Sequence, residues 1–338
     1  MRIGVFGLGF MGATHLRALR NVKNAELFAV VSDVPQKLTG DLSTIQGNLG
    51  GPGERFDFTN VAKYRSIPDA LRDRDIEAVD LCLPTNLHAE VAVQALHLGK
   101  HVLVEKPMAL NGRDADRMIE EAGKAGRVLM TAQVLRFMPA YQGAAQEVKS
   151  GELGRMISAF FRRRCAAPAW TIWSNKKHLS GGGVFDLLIH DVDMCLHLFG
   201  PPQALSSVGY EDLAGGVDLL ETRLFYAGGG VATISGGWHH PKAYPFSMEY
   251  TIVCERGTLE YSSAGREPTL FTATGEEVPL DVDEKDGYHA EIQYFVDCCL
   301  SGRRPELCPP EESAAAVKLT KMMEEARSRK GEIVECKL

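Results

Sequence analysis

Ile3-Gly4-Val5-Phe6-Gly7-Leu8-Gly9-Phe10-Met11-Gly12 opens the chain with a short apolar run, a GxGxxG turn and the start of a segment of helical period. A strand feeding a glycine-rich turn and then a helix gathers free backbone N–H groups and the positive end of a helix dipole at one spot. A pyrophosphate binds at such a spot. Gly7 permits the tight turn, Gly9 lets the backbone approach the phosphates beside Phe10 and Met11, and Gly12 lets helix and strand pack closely. Asp33 lies 21 residues beyond Gly12, at the end of the next apolar run, where a carboxylate accepts hydrogen bonds from an adenosine ribose. That carboxylate repels a 2'-phosphate, and Val34 offers no guanidinium to receive one, so the pattern predicts NAD, with NADP the second choice.

Outward from this turn, short apolar runs alternate with helical segments through the first third of the chain, the signature of strand-helix-strand units and a parallel sheet. Strands are expected at 3–6, 27–32, 78–83, 101–104 and 128–131, with a weak one near 62–64, and helices at 11–20, 87–98 and 114–125. Gly99 and Gly126 stand where the last two helices should end in left-handed residues. Gly47 to Gly53 reads as a loop insertion. Beyond about residue 135 the strands lengthen and alternate, at 157–164, 219–226, 231–237, 247–254 and 258–261, joined by turns such as Ala227 to Gly230. Helices near 183–199, 288–300 and 311–329 and a short final strand complete this half. The fold class is therefore α/β: a doubly wound Rossmann domain over residues 1–134, then an α+β domain with a large, mainly antiparallel open sheet over residues 135–338.

Composition removes other classes. With 37 basic and 44 acidic residues the net charge is -7, which gives the chain no overall pull toward nucleic acid or an anionic membrane. The triplet Arg162 to Arg164 lies on an expected strand, where neighbours point to opposite faces, so it forms no basic patch. Eight scattered cysteines contain no CxxC and read as reduced, mostly buried small hydrophobes, so a cytoplasmic protein is expected. Glycines interrupt the amino-terminal apolar stretch and no later one is long enough to span a bilayer, so neither a signal peptide nor a membrane span is expected.

Two further islands carry chemistry. Leu83-Pro84-Thr85-Asn86-Leu87-His88 and Glu105-Lys106-Pro107 each end a strand, on the edge where open α/β sheets bind ligands. Gly181-Gly182-Gly183 precedes Asp186 and His190, which are four apart and so share one face of an expected helix. Together with the glycine turn, and in this order, these islands resemble the glucose-fructose oxidoreductase and inositol dehydrogenase (GFO/IDH/MocA) family over nearly the whole chain. The resemblance implies that Lys106, Asp186 and His190 form a catalytic set. It also implies that Pro84, Thr85, Asn86, His88, Glu105, Lys106 and Pro107 border the cofactor, that Lys106-Pro107 is a cis peptide, and that the open sheet pairs subunits into a homodimer or homotetramer.

Oxidising a secondary alcohol removes a hydroxyl proton and a hydride, which calls for a base of near-neutral pKa and a cation beside the reacting oxygen. His190 suits the first role and Lys106 the second, while Asp186 either fixes the imidazole or anchors a neighbouring hydroxyl. Asp186, His190, Asp193 and His197 follow one helical stripe, but four ligands along one helix span about 16 Å, too far for a single ion. No metal is expected, and Asp193 and His197 read as hydrogen-bonded core or rim groups. Lys106, Asp186, His190, Arg136, Trp173 and Tyr288 are the substrate candidates, with Trp170, His239 and His240 weaker ones. The resulting expectation is an NAD-dependent dehydrogenase of a cyclic polyol or sugar that binds neither nucleic acid nor membrane. Its alternatives are an NAD-assisted glycosidase of the same fold and a dinucleotide-binding regulatory protein.

Overall fold

The computed structural model describes residues 1–47, 53–168, 176–282 and 285–338. The chain divides into two compact units, Met1–Val134 with Lys285–Ala314, and Leu135–Glu284 with Ala315–Leu338. Its helices in chain order are α1 (Phe10–Leu19), α2 (Ile67–Arg72), α3 (Thr85–His97), α4 (Gly112–Ala125), α5 (Pro139–Ser150), α6 (Lys177–Ser180), α7 (Ile189–Phe199), α8 (Gly287–Ser301) and α9 (Pro310–Ser328).

The first unit is built on β1 (Arg2–Phe6), β2 (Glu26–Val31), β3 (Ala62–Tyr64), β4 (Ala78–Leu81), β5 (His101–Glu105) and β6 (Leu129–Ala132). All pairs are parallel and the order is β3-β2-β1-β4-β5-β6, the doubly wound arrangement whose direction reverses between β1 and β4. Every residue of β4 and nearly every residue of β5 is buried, as a sheet covered on both faces requires. Asn111 caps α4 by accepting the Asp114 N–H, and Gly126, at φ 60°, ends it in the left-handed conformation. Helix α8, from the far end of the chain, packs on α1.

The second unit holds a nine-stranded sheet: β7 (Met156–Cys165), β8 (Ala204–Asp212), β9 (Val217–Phe225), β10 (Val231–Trp238), β11 (Ser247–Cys254), β12 (Gly257–Ser262), β13 (Arg266–Thr272), β14 (Glu277–Pro279) and β15 (Val334–Glu335). The spatial order is β14-β13-β12-β11-β7-β10-β9-β8-β15, and only β7 and β10 run parallel. The arginine triplet on β7 alternates as its strand demands. Arg163 points inward and forks onto buried Asp191, while Arg162 and Arg164 face Glu249 on the other side.

Candidate active site

At the first unit's ligand edge, the sequence dictates the shape of the glycine turn. Gly7 sits at φ +97°, and a Cβ there would lie 2.3 Å from the Cys82 carbonyl oxygen. A Cβ on Gly12 would lie 2.0 Å from the Gly7 carbonyl oxygen, so both positions exclude side chains by contact with the neighbouring backbone. Gly9 differs: among the described residues a Cβ there would meet nothing within 4 Å, so side-chain crowding does not explain this glycine. Neither α1 nor α3 has a side-chain cap or an acidic residue in its first turn, so both present uncompensated N–H groups. Asp33 stands exposed just past β2. These features fit an anionic dinucleotide, whose phosphates the turn and the α1 N-terminus would hold.

Pro84, Thr85 and Asn86 begin α3, with Thr85 buried and Asn86 exposed. His88 is buried, and its ring nitrogens lie 2.8 Å from the carbonyl oxygens of Pro107 and Leu83, so its imidazole joins the two loops that the sequence reading placed beside the cofactor. Burial pushes its pKa down, and the two carbonyls pull the other way. Lys106-Pro107 is cis. Glu105 is buried, and its Oε2 accepts the Lys106 N–H at 3.0 Å. Behind it, His15 of α1 places Nδ1 2.9 Å from Asp80 and Nε2 3.0 Å from Glu105. Tyr288, on α8, lies with its ring centroid 6.2 Å from that of His15. His15, Asp80 and Cys82 offer ligand atoms within 4.8 Å of one another. A metal would need the thiolate, which burial and Asp80 disfavour by pushing the Cys82 pKa up.

In the second unit, Gly181-Gly182-Gly183 leads into a π-helical turn, Val184–Leu188, and then into α7. A Cβ on Gly183 would lie 2.5 Å from the buried Trp238 ring, and Gly182, at φ +95°, leaves Asp218 room to accept the Val184 N–H at 2.9 Å. Asp218 is fully buried and also accepts from Arg327 at 2.7 Å. Within residues 180–196 every position is buried except Asp186 and His190. Two buried forks fix the helix behind them, Asp191 to Arg163 and Asp193 to Arg136. A π turn inside a helical run is rare and concentrates at functional positions.

Other expected residues find different surroundings. Arg136 is directed onto Asp193 inside the core, so it supports α7. His197 faces Lys149, and His240 stacks on Tyr244 with the His239 ring tilted beside it. Trp170, Trp173 and most of the Gly47 to Gly53 loop lie outside the described residues. Sequence reasoning passed over His15, Asp80, Asp218 and Arg327. The available signal was a charged residue inside an otherwise apolar strand, Ala78-Val79-Asp80-Leu81 and Val217-Asp218-Leu219-Leu220.

Residues 1–133 match the profile of an oxidoreductase family with an NAD-binding Rossmann fold, and residues 141–260 match that of the GFO/IDH/MocA C-terminal domain. The chain is 29% identical over 352 residues to the myo-inositol 2-dehydrogenase of Thermotoga maritima, covering 99% of each. It is 26% identical over 316 residues to the 4-carboxy-2-hydroxymuconate-6-semialdehyde dehydrogenase of a Sphingobium species, covering 90% of this chain and 92% of that one. The fold is similar to that of aldose-aldose oxidoreductase from Caulobacter crescentus, with a TM-score of 0.84 at 22% identity over 99% of each chain.

Proposed function

Because the chain belongs to the GFO/IDH/MocA oxidoreductase family, we propose that it is an NAD-dependent dehydrogenase of a secondary hydroxyl on a cyclic polyol or sugar. One observation carries this reading: in a helical run otherwise closed to solvent, the side chains left accessible are Asp186 and His190, a carboxylate and an imidazole. Bound NAD supplies the hydride acceptor. His190 takes the hydroxyl proton, Lys106 stabilises alkoxide character on the same oxygen, and Asp186 orients the imidazole or a neighbouring hydroxyl. The exposed Asp33 favours NAD over NADP. The named activities of the inositol and aldose relatives support a polyhydroxylated ring as substrate. Its eight free thiols suit a reducing cytoplasm. Self-association into a homodimer or homotetramer, through a sheet that exposes Ile157, Val208 and Tyr210, completes the proposal.

The test is a panel of cyclic polyols and sugars offered with NAD and with NADP while nicotinamide absorbance is followed. At least one substrate should yield NADH, and Lys106→Ala and His190→Ala should each lower kcat by about a hundredfold or more. A pure, folded protein that neither binds NAD(H) nor reduces NAD with any member sinks the reading, and glycoside cleavage without net NADH redirects it to a hydrolase.

A further inference from the structure

His15 lies in the second turn of α1, the helix whose first residues border the phosphate site, and its side chain is 0% exposed. Its two ring nitrogens face carboxylates on two different strands: Nδ1 is 3.0 and 2.9 Å from the oxygens of Asp80 on β4, and Nε2 is 3.0 Å from Oε1 of Glu105 on β5. The second is a close contact without hydrogen-bond geometry. A neutral imidazole has one N–H and one unprotonated nitrogen, so in either tautomer a nitrogen of partial negative charge would sit within 3.0 Å of a buried carboxylate. Only the imidazolium is attracted at both ends. The other oxygen of Glu105 accepts the Lys106 N–H at 3.0 Å. A continuous set of contacts thus runs from the phosphate-binding helix through His15 and Glu105 to the backbone of Lys106.

We propose that His15 is a positioning residue that, as an imidazolium, ties α1 to the strand end presenting Lys106 and so fixes where that lysine stands relative to the bound dinucleotide. The inference rests on the dehydrogenase reading above. The groups around the ring are Asp80 and Cys82 from β4 and its end, Glu105 from β5, and Tyr288 from α8, which itself faces Glu291 and Asp286. Burial pulls the His15 pKa down, but Asp80 beside it, with Cys82, raises it on balance well above the usual histidine range. The sign follows. The cation is present below this raised pKa and is lost as pH rises through it, so the tie loosens on the alkaline side.

Nitrogen-15 NMR of the ring, on full-length protein labelled at histidine, reads the charge directly. At pH 8 His15 should carry the imidazolium signature, and in Asp80→Asn its titration should move down by about one pH unit or more. That variant should keep NADH affinity within about threefold, lose about tenfold or more in kcat, and show the alkaline limb of its pH profile moved to lower pH. A merely structural role would lower melting temperature without moving that limb. Should Asp80→Asn fail to fold, Glu105→Gln, which keeps shape and removes the second charge, should move the His15 titration to lower pH and the alkaline limb of kcat with it. A neutral wild-type ring at pH 8, or a folded Asp80→Asn with kcat and alkaline limb unchanged, overturns the proposal. If the wild type reduces NAD with none of the polyols and sugars offered, the dehydrogenase reading has failed, while the ring signal still decides the charge on His15.

Discussion

Asp33 stands exposed just past β2, and its carboxylate is the charge expected to discriminate between dinucleotides. Removing that charge should therefore act on cofactor choice and leave the fold alone. Asp33→Ser is expected to shift the ratio of kcat/KM for NADP over NAD by about tenfold or more, the effect of roughly 1.4 kcal/mol of relieved repulsion. Steady-state kinetics with both cofactors checks this, and an unchanged ratio would assign the preference elsewhere. The glycine turn and Asp33 were legible because their signal is local: fixed spacing along a strand, a turn and a helix. His15 was not, because a histidine among apolar neighbours in a helix reads as ordinary core, and its partners Asp80 and Glu105 come from remote strands. His88 was singled out from its loop motif, but its surroundings, two backbone carbonyls, are set by tertiary packing.

Among elements, the π turn Val184–Leu188 shows how a glycine run, a tryptophan and a buried aspartate together shape one helix entry. Gly183→Ala places a methyl group 2.5 Å from the Trp238 ring, which is 1% exposed and has no room to retreat without moving its own surroundings. The expected cost is about 1–3 kcal/mol of stability, read as a lowered midpoint in urea, with a changed near-ultraviolet circular dichroism band from Trp238. A midpoint equal to wild type would show that the ring gives way freely. The four-residue spacing of Asp186 and His190 was legible, whereas the π turn that holds Asp186 was not, since nothing in local propensity marks it. Helix α5 was missed because Pro139-Ala140-Tyr141-Gln142-Gly143-Ala144-Ala145-Gln146 offers few large apolar residues at helical spacing. Strand β8 was missed because its outer half, from Val208 to Asp212, is exposed and gains its place by backbone pairing with β9.

At the scale of the molecule, the chain leaves its first unit at Val134 and re-enters it from Lys285 to Ala314, so α8 joins a core whose other elements were made far upstream. The periodicity of α8 says that it buries a face, and nothing in it says against which sheet. Among the described residues no helix is long and apolar enough to cross a membrane. The one parallel pair of the nine-stranded sheet, β7 with β10, matters beyond architecture. Parallel neighbours need a crossover, and here the crossover, residues 166–230, contains the glycine run, Asp186, His190 and two further strands. During refolding from denaturant these side chains stay unplaced until β10 docks beside a strand made some seventy residues earlier, a late event for so distant a pairing. Recovery of turnover is therefore expected to trail the return of far-ultraviolet ellipticity in stopped-flow and manual-mixing traces, and coincident traces would rule it out. A refolding chain would therefore pass through an interval in which most of its backbone is already ordered and it does not yet catalyse.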